Sequence, residues 1–312
     1  MAKPDLTIGF PVYNGAALLS KALASLLAQT HRDFILHISD NASNDDTAEL
    51  CQKFAAQDNR IIYVRQPHNI GMVKNFRFLL QQAKTPFFMW AAHDDWWHPR
   101  FVEENLSAVK NDPFAIASIS RIGSCLQGRQ VSVSAGTFPL RGSVKENMRT
   151  FWSNPQDAAR LYAVHRTEVI RASFPDIPWI HAFDYLVVAL TLQFGAYLEV
   201  PEVLMWRELP DADRYLRIVD GQPLWFRLFP GVPLAYYMIR NCNPRYYATF
   251  ARSLLSMNVT AHRWYMSNRF PSWVIGLNRV IPWLYSKGWV QDTARERLIR
   301  RATEKDSQVD QP

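Results

Sequence analysis

Short apolar runs and longer amphipathic segments alternate along the first 110 residues. Four runs have the length and the apolar content of buried strands, namely Leu6–Phe10, Phe34–Ser39, Ile61–Val64 and Phe87–Ala91. A segment with helical spacing follows each run, and these segments end near residues 29, 56, 83 and 110. Ser43 and Asp46 have the spacing of a capping box ahead of the second helix. Strands that alternate with helices predict right-handed crossovers and a mostly parallel α/β sheet.

Residues 115–205 have a less regular pattern. Ala115–Ile119 predicts a fifth strand, and the polar, glycine-rich residues 123–142 predict a loop or a hairpin. An apolar helix is predicted over residues 185–192. Tyr197–Met205 alternates around Pro201, which favours an edge strand or two short strands because proline cannot donate to a ladder. Beyond residue 224 the pattern is helical and is interrupted by prolines.

Polar residues follow each of the first four predicted strands. The clusters are Tyr13-Asn14, Asp40-Asn41, Asn69 with Gly71, and Asp94-Asp95. In open parallel sheets, ligands bind outside the carboxyl ends of the strands. We therefore expect the four clusters to converge on one edge of the sheet and to form one ligand site.

The acidic pair Asp94-Asp95 directly follows an apolar, aromatic run. Two adjacent negative charges at the end of a buried strand are costly unless a cation compensates them. A divalent metal with phosphate oxygens on its other side would do so. This interpretation makes Asp95, with Asp94, a ligand of Mn²⁺ or Mg²⁺, and Asp94 a contact to ribose. The alternative is that the two acids cap the following helix or lie in a solvated turn.

The first two clusters each allow two interpretations. Asp40-Asn41 could recognise the edge of a base or a ribose, or it could close a turn with its own backbone. Tyr13 could lie against a nucleobase, with Pro11 fixing the loop that presents it, or it could be a buried aromatic residue with a bonded hydroxyl group. These alternatives cannot be separated on the local sequence.

The other candidates are also ambiguous when taken singly. Lys74 could bind phosphate at a helix N-terminus, where Gly71 permits close backbone approach, or it could be a surface lysine. Asp184 stands between two aromatic residues and could be a general base with a raised pKa, or the N-cap of the following helix. Arg207 could meet a diphosphate, or it could be a plain surface charge.

Taken together, the motifs resemble those of family 2 glycosyltransferases with the GT-A fold. The matching segments are residues 7–15, 27–30, 39–47, 69–75, 93–95, 183–185 and 200–207. The resemblance covers about residues 5–208, and its specificity comes from the order and spacing of the motifs. It implies a GT-A nucleotide-diphospho-sugar transferase fold, in which a mostly parallel, Rossmann-like sheet is flanked by helices.

The resemblance also implies a reaction. One sugar would move from a UDP-, GDP- or dTDP-linked donor to an acceptor hydroxyl, with inversion of the anomeric centre. In that scheme Asp184 is the base, Asp95 the metal ligand, Asp94 a ribose or sugar contact and Tyr13 a base contact. Pro11, Asn14 and Asn69 belong to the donor-binding loops. The expected acceptor is a glycan or a lipid-linked sugar, in bacterial cell-surface polysaccharide, lipopolysaccharide or glycolipid synthesis.

Three departures from the family pattern bear on specificity. Asn41 stands where the family often has a second aspartate, and Glu208-Leu209-Pro210 stands where a histidine often follows Arg207. The donor base and the diphosphate contact are therefore left open. The Gln-x-x-Arg-Trp motif of processive synthases does not occur, so we expect addition of one sugar rather than polymerisation.

The net charge of +7 is unevenly distributed along the chain. Residues 1–210 hold 20 Lys/Arg and 20 Asp/Glu, whereas residues 211–312 hold 15 Lys/Arg, 8 Asp/Glu and 16 aromatic residues. This asymmetry predicts two domains, a catalytic domain over 1–210 and a basic, aromatic-rich helical region over 211–312. The second region could be a solvated subdomain that covers the catalytic domain, or it could bind an anionic membrane surface. No nucleic-acid-binding motif accompanies the charge, so nucleic acid is not an expected partner.

The remaining features concern compartment and alternative functions. The chain shows no signal segment, no apolar stretch of spanning length, and three cysteines without metal or redox spacing. These features predict a cytoplasmic protein, with attachment to the cytoplasmic face of the membrane as the second option. Two other functions stay open: a catalytically silent nucleotide-sugar-binding or membrane scaffold protein, and a sugar nucleotidyltransferase. The latter would need a glycine-rich, basic phosphate loop, which residues 11–15 do not offer.

Overall fold

The computed structural model of the protein describes residues 3–126, 128–153, 158–209, 223–229 and 231–257. Their contacts divide the chain into two compact units. The first unit contains the described residues within 1–147, 159–179 and 183–209. The second contains those within 148–158, 180–182 and 210–257. The predicted domain boundary at residue 210 stays a prediction.

Nine strands form one mixed sheet in the first unit. They are β1 (Leu6–Val12), β2 (Phe34–Asp40), β3 (Ile61–Arg65), β4 (Phe87–Trp90), β5 (Asp95–Trp97), β6 (Ala115–Leu126), β7 (Arg129–Val133), β8 (Val164–Arg166) and β9 (Ala196–Glu208). The helices are α1 (Ala16–Leu27), α2 (Thr47–Gln57), α3 (Met72–Gln82), α4 (Phe101–Asn111), α5 (Val144–Ser153), α6 (Thr167–Ala172) and α7 (Phe183–Thr191). A 3₁₀ turn, Ala159–Tyr162, precedes β8.

The sheet order is β3-β2-β1-β4-β8-β6-β9-β5, with β7 paired to β6. The predicted parallel arrangement holds for β3, β2, β1 and β4, so their carboxyl ends share one edge. In the second half, β6 and β9 are parallel, whereas β8, β7 and β5 make antiparallel pairs. The predicted fold class, an α/β sheet flanked by helices, is confirmed.

The central strands are buried on both faces, which explains why they were recognisable as continuous apolar runs. The side chains of Leu6, Ile8 and Phe10 in β1 are fully buried. Trp90 at the end of β4 is also fully buried, and its indole N–H donates to the carbonyl of Phe76 over 3.1 Å. The aromatic core therefore extends up to the strand end that precedes the acidic pair.

The capping-box prediction at Ser43 and Asp46 is wrong. Helix α2 begins at Thr47, and no side chain of its N-cap residue, Asp46, bonds to the helix. The Asp45 carboxylate accepts the Thr47 N–H over 3.1 Å instead. The Ser43 hydroxyl accepts a backbone N–H from the neighbouring loop at Asn14, over 2.9 Å. The Ser43 hydroxyl, which the local pattern assigned to the cap of α2, is thus bonded to another loop.

Around Pro201, β9 is one continuous strand, so the alternative of two short strands is wrong. Strand β6 pairs along β9, whereas β5 pairs with residues 205–207, so the segment at Pro201 has one neighbouring strand among the described residues, as the edge-strand alternative predicted. The ladder with β6 passes from the pair Ser120–Val200 directly to Arg121–Val203. Pro201 therefore lies in a bulge, where its missing N–H costs no ladder hydrogen bond. Strand β6 itself runs to Leu126, well beyond the predicted fifth strand.

The described part of the second unit is mainly helical. It contains α8 (Leu224–Leu228), α9 (Val232–Asn241) and a helical segment over residues 247–257. Trp152 packs on Phe250 with ring centres 6.1 Å apart. Across the described residues, no helix combines the length and hydropathy that crossing a bilayer requires. The rest of the predicted helical region, residues 210–222 and 258–312, lies outside the described residues.

Candidate active site

The loops that follow β1 and β2 are joined by hydrogen bonds. The Asn14 N–H donates to the Ser43 hydroxyl over 2.9 Å, and the Asn44 N–H donates to the Asn14 side-chain oxygen over 3.0 Å. The Gly15 N–H donates to the Thr47 hydroxyl over 2.9 Å. Asn14 adopts a positive φ of 52° in this arrangement. The two predicted clusters therefore form one rigid corner at the edge of the sheet.

Asp40 lies at the end of β2 and is fully buried. Its carboxylate accepts the Ser43 N–H over 2.8 Å and the Tyr63 hydroxyl over 3.0 Å. The Arg65 guanidinium lies 3.9 Å away. Asp40 thus closes a turn, as in the alternative interpretation. Its predicted contact with a base stays a prediction.

Asn41 joins the same corner to the loop after β3. Its amide group donates to the Asn69 side-chain oxygen over 2.9 Å, and its own oxygen accepts the Ile70 N–H over 2.8 Å. The Gly71 N–H also donates to Asn69, over 2.9 Å. The side-chain amide of Asn41 is therefore engaged within the protein, and its recognition of a base stays a prediction too.

Several predicted donor-binding groups face solvent near these loops. The Tyr13 side chain is 42% exposed, which argues against the alternative of a buried tyrosine. Gly71 caps α3 with φ of 85°. Apart from its two chain neighbours, no heavy atom of the described residues lies within 4 Å of the place where a Cβ would stand. Lys74, in the first turn of α3, is exposed, and Pro11 is buried within β1. The open backbone at Gly71 and the Lys74 charge fit an anionic ligand.

The loop of the acidic pair approaches the loop after β1. A Cβ atom at Gly15 would lie 2.8 Å from the His93 ring, so a larger residue would push the two loops apart. Asp95 starts β5 and pairs with Arg207 of β9 in the antiparallel register. Asp94 is half-buried, and Asp95 is buried. The fold therefore brings together two predicted residues, Asp95 and Arg207, that lie more than a hundred positions apart.

Asp95 is in an unfavourable environment for a carboxylate. Burial raises its pKa well above the usual range, the Arg207 charge acts in the opposite direction, and the charges of Asp94 and Glu208 raise it further. A bound cation would reverse this balance and keep the carboxyl group ionised. The electrostatic cost of two adjacent carboxylates, which was inferred from the sequence, is thus present in the structure.

Tyr162 is a site residue that the sequence did not indicate. It ends the 3₁₀ turn before β8, and the Arg207 guanidinium lies 5.2 Å from the centre of its ring. Burial raises the pKa of its hydroxyl group, and the charges of Asp95, Asp94 and Asp184 raise it further, whereas Arg207 lowers it. Tyr162 thus interacts with both the acidic pair and the predicted base. Its surrounding sequence has no pattern from which this role could be recognised.

Asp184 is the second residue of α7, rather than its N-cap. Its carboxylate accepts the Tyr185 N–H over 3.0 Å. Ala182, two residues earlier, has a φ of 58°, and the other non-glycine residues with positive φ in the described chain are Asn14 and Ala42. Each of the three lies in or beside a predicted site cluster. Such backbone strain persists only where surrounding structure enforces it, and it is common at functional sites.

A cleft of about 240 Å³ opens beside the acidic pair. Asp94, Asp95 and Glu208 line one part of it, and Lys21 and Trp96 line another. The Lys21 ammonium group lies 3.0 Å from the centre of the Trp96 ring. The cleft therefore combines acids, one cation and an aromatic face.

The acidic pair fits a metal that is shared with a substrate. Within the described ranges, no group of three potential metal-binding side chains occurs. Mg²⁺ sites at phosphate substrates commonly use one or two carboxylates, and substrate phosphates and water supply the other ligands. Asp94 and Asp95 match that donor set, and they do not match a metal held by protein groups alone.

Comparisons with known proteins agree with this architecture. The family model of glycosyl transferase family 2 matches residues 7–173. An uncharacterized glycosyltransferase of Rickettsia prowazekii is 28% identical over 229 residues, which is 72% of this chain and 59% of that protein. The GalNAc(5)-diNAcBac-PP-undecaprenol beta-1,3-glucosyltransferase of Campylobacter jejuni is 33% identical over 93 residues, which is 30% of each chain. This chain covers less than two thirds of the length of these relatives.

Two solved structures show the same fold. TarS residues 1–349 from S. aureus, in complex with UDP-GlcNAc, has a TM-score of 0.60 at 14% identity and covers 85% of this chain and 74% of that one. The Pyrobaculum calidifontis mannosyltransferase, in complex with GDP-Man and Mn²⁺, has a TM-score of 0.56 at 15% identity and covers 93% of this chain and 83% of that one. Because the family model matches more than half of the residues, the chain belongs to glycosyl transferase family 2, and its fold is the GT-A fold.

Proposed function

We propose that the protein transfers one sugar from a nucleotide-diphospho-sugar to an acceptor hydroxyl with inversion. The observation that supports this most directly is the cluster around Tyr162, where Asp94, Asp95, Asp184 and Arg207 all act on one hydroxyl group. Asp94 and Asp95 at the strand end would act at the departing diphosphate. Asp184, on a separate helix, would act at the attacking hydroxyl group. The structural neighbours bind UDP-GlcNAc and GDP-Man, which are donors of this class.

With these roles the reaction is a single displacement. Asp184 accepts the proton of the acceptor hydroxyl, and the freed oxygen attacks the anomeric carbon. The bond from that carbon to the diphosphate oxygen breaks at the same time, so the nucleoside diphosphate leaves with the electron pair. Attack from the face opposite the leaving group inverts the anomeric centre.

Mn²⁺ or Mg²⁺ would be held by Asp95, with Asp94, and by the donor diphosphate. The metal would supply positive charge to the departing diphosphate. Arg207 adds a fixed positive charge next to Asp95. The Tyr162 hydroxyl group is protonated at neutral pH, and its raised pKa keeps it so at higher pH, so it would serve as a hydrogen-bond donor in the site.

The donor would lie over the loops after β1, β2 and β3. Tyr13 offers an exposed ring to the base, and Gly71 and Lys74 offer an open backbone and a charge to phosphate. The side chain of Asn41 is hydrogen-bonded to the neighbouring loop. The nucleobase of the donor would therefore be bound by backbone groups, or by Asn41 after a rearrangement of its side chain. UDP, GDP and dTDP are all retained as candidates.

The acceptor would be a glycan or a lipid-linked sugar of the bacterial cell surface. The name of the Campylobacter jejuni relative describes an undecaprenol-linked acceptor, which supports this class. The corresponding location is the cytoplasm, with peripheral attachment to the cytoplasmic face of the membrane.

The decisive experiment is a screen of nucleotide sugars with Mn²⁺, in which release of nucleoside diphosphate is measured. We expect release from one donor class, loss of release when EDTA removes the metal, and loss in Asp95→Asn and Asp184→Asn. Asp176→Asn is the matched control, because Asp176 is an exposed carboxylate paired with Arg77. Release that survives both site substitutions would overturn the assigned roles. Binding of a nucleotide sugar without any turnover would favour the catalytically silent alternative.

A further inference from the structure

The last helices of the described chain, within residues 223–257, lie in a long segment of one charge sign. Between residues 221 and 291 the chain contains eight cations and no aspartate or glutamate. The cations are Arg227, Arg240, Arg245, Arg252, Arg263, Arg269, Arg279 and Lys287. Basic and acidic residues usually alternate on a solvated surface, so a segment of this length without an acid indicates a partner with uniform negative charge.

Helix α9 in this segment is apolar on two sides. Leu234 and Met238, on one side of the helix, are fully buried. Val232, Tyr236 and Ile239 are 50%, 52% and 51% exposed, and their spacing of four and three residues places them on one face. An apolar strip on the solvent side of a helix that already has a buried side is not explained by the packing of that buried side.

Exposed arginines lie on this helix and in the residues that follow it. Arg240 follows Ile239 in the chain, and its guanidinium donates to the Tyr236 hydroxyl over 2.8 Å. Arg245 lies just beyond the helix, and Arg252 is exposed on the next helical segment, where Leu255 is exposed as well. The arrangement of apolar side chains with a tyrosine and arginines is typical of helices that lie in a membrane interface.

We infer that this surface, defined by Val232, Tyr236, Ile239, Arg240, Arg245 and Arg252 and called the α9 surface, docks on an anionic phospholipid bilayer. The apolar side chains enter the boundary between headgroups and acyl chains, and the arginines contact lipid phosphates. A second copy of the chain is a poorer occupant, because it would place arginines against arginines. The inference rests on the peripheral membrane attachment proposed above and names the surface that makes it; its test requires neither donor nor turnover.

The test is sedimentation of the full chain with vesicles. We expect binding to an equal mixture of phosphatidylglycerol and phosphatidylcholine, and much weaker binding to phosphatidylcholine alone. The double substitution Val232→Glu with Ile239→Glu should abolish binding. Its matched control is Val131→Glu with Val133→Glu, which adds the same two charges at exposed apolar positions of β7 and should reduce binding only slightly.

A second variant separates charge from apolar contact. Arg245→Gln with Arg252→Gln keeps the apolar strip, and since each arginine near an anionic surface contributes about a fivefold affinity, we expect a loss of about thirtyfold. Unchanged thermal unfolding of both variants would show that they are folded. The inference is overturned if the wild type does not bind the anionic vesicles, or if the α9 double variant binds as well as its β7 control. It is also overturned if the wild type is a dimer that the α9 substitutions convert to a monomer.

Discussion

The two halves of the candidate site are built in opposite ways. In the corner formed by the loops after β1, β2 and β3, the buried Asp40 receives a backbone N–H and a tyrosine hydroxyl. In the cluster around Tyr162, the buried Asp95 lies near Asp94 and Glu208, and burial raises its pKa well above the usual range. One buried carboxylate is thus surrounded by hydrogen-bond donors. The other lies near two negative charges, and Arg207 and a backbone hydrogen bond at Glu208 offset its burial only in part.

The difference indicates what stabilises each half: hydrogen bonds within the protein in one, and a bound ligand in the other. The loop corner is held by the protein's own hydrogen bonds and is therefore expected to keep its shape without a ligand. The acidic cluster has an electrostatic cost that Arg207 only partly offsets. A ligand that brings positive charge would remove the rest of that cost. We therefore expect substitutions in the corner to affect stability, and substitutions in the cluster to affect activity.

The largest effect should come from Asp184→Asn. The amide cannot accept the proton of the acceptor hydroxyl, so we expect kcat to fall by about a thousandfold. Affinity for the nucleoside diphosphate should stay close to that of the wild type, because the base lies at the acceptor end. Steady-state kinetics and calorimetric titration measure the two quantities separately. A parallel loss of binding would show that Asp184 belongs to the donor half.

The second prediction sets Asp40 against Asp95 directly. Asp40→Ala leaves the Ser43 N–H and the Tyr63 hydroxyl without their acceptor, and we expect a loss of about 3 kcal/mol in unfolding free energy. Asp95→Asn removes a buried acid and should leave the unfolding free energy of the metal-free protein unchanged or higher, while Mn²⁺-dependent binding of nucleoside diphosphate falls. Urea unfolding with EDTA gives both stabilities. If both variants were destabilised alike, the contrast between the two halves would be wrong.

The loop corner was largely predictable from sequence, because its residues follow strands that are buried on both faces. The runs ending at Phe10, Ser39 and Val64 match β1, β2 and β3 to within two residues. Each polar cluster at such a strand end was therefore located correctly. The capping-box prediction at Ser43 failed because these loops lie so close together. The Ser43 hydroxyl accepts an N–H from the loop at Asn14 instead of capping α2.

The acidic cluster was only half predictable. The apolar run before Asp94 and Asp95 indicated their strand-end position. Strand β5, in contrast, has three residues and exists through its pairing with β9, and Tyr162 lies on a short 3₁₀ turn. Neither element is long enough to produce a periodic pattern. The contact between Arg207 and Tyr162 depends on tertiary structure alone.

The third prediction concerns the support of the turn that presents Tyr162. His165 is fully buried, its Nε2 lies 3.1 Å from the carbonyl oxygen of Arg160, and its Nδ1 has no hydrogen-bond partner among the described residues. Burial lowers its pKa to about 4. Because the unfolded chain binds the proton first, stability is complete above about pH 6.5 and falls as the pH decreases towards 4.

Between pH 7 and pH 5 this coupling should cost about 2 kcal/mol of unfolding free energy. Urea unfolding at both pH values measures it. His165→Gln should be less stable than the wild type at pH 7, yet should lose about 2 kcal/mol less on acidification. An equal pH dependence in both proteins would mean that His165 is not the group responsible.

The smallest predicted effect, and the finest test of the comparison, is Tyr162→Phe. This change keeps the ring under the Arg207 guanidinium and removes only the hydroxyl group, whose pKa the charges of Asp94, Asp95 and Asp184 raise. We expect kcat/KM to fall about tenfold, since one hydrogen bond to a charged group is lost in the transition state. Tyr197→Phe is the matched control, because that hydroxyl bonds to Thr191 within the core over 2.7 Å. It should lower stability and leave KM unchanged. If instead Tyr162→Phe behaved like this control, Tyr162 would belong with the hydrogen-bonded framework, and the acidic cluster would act without it.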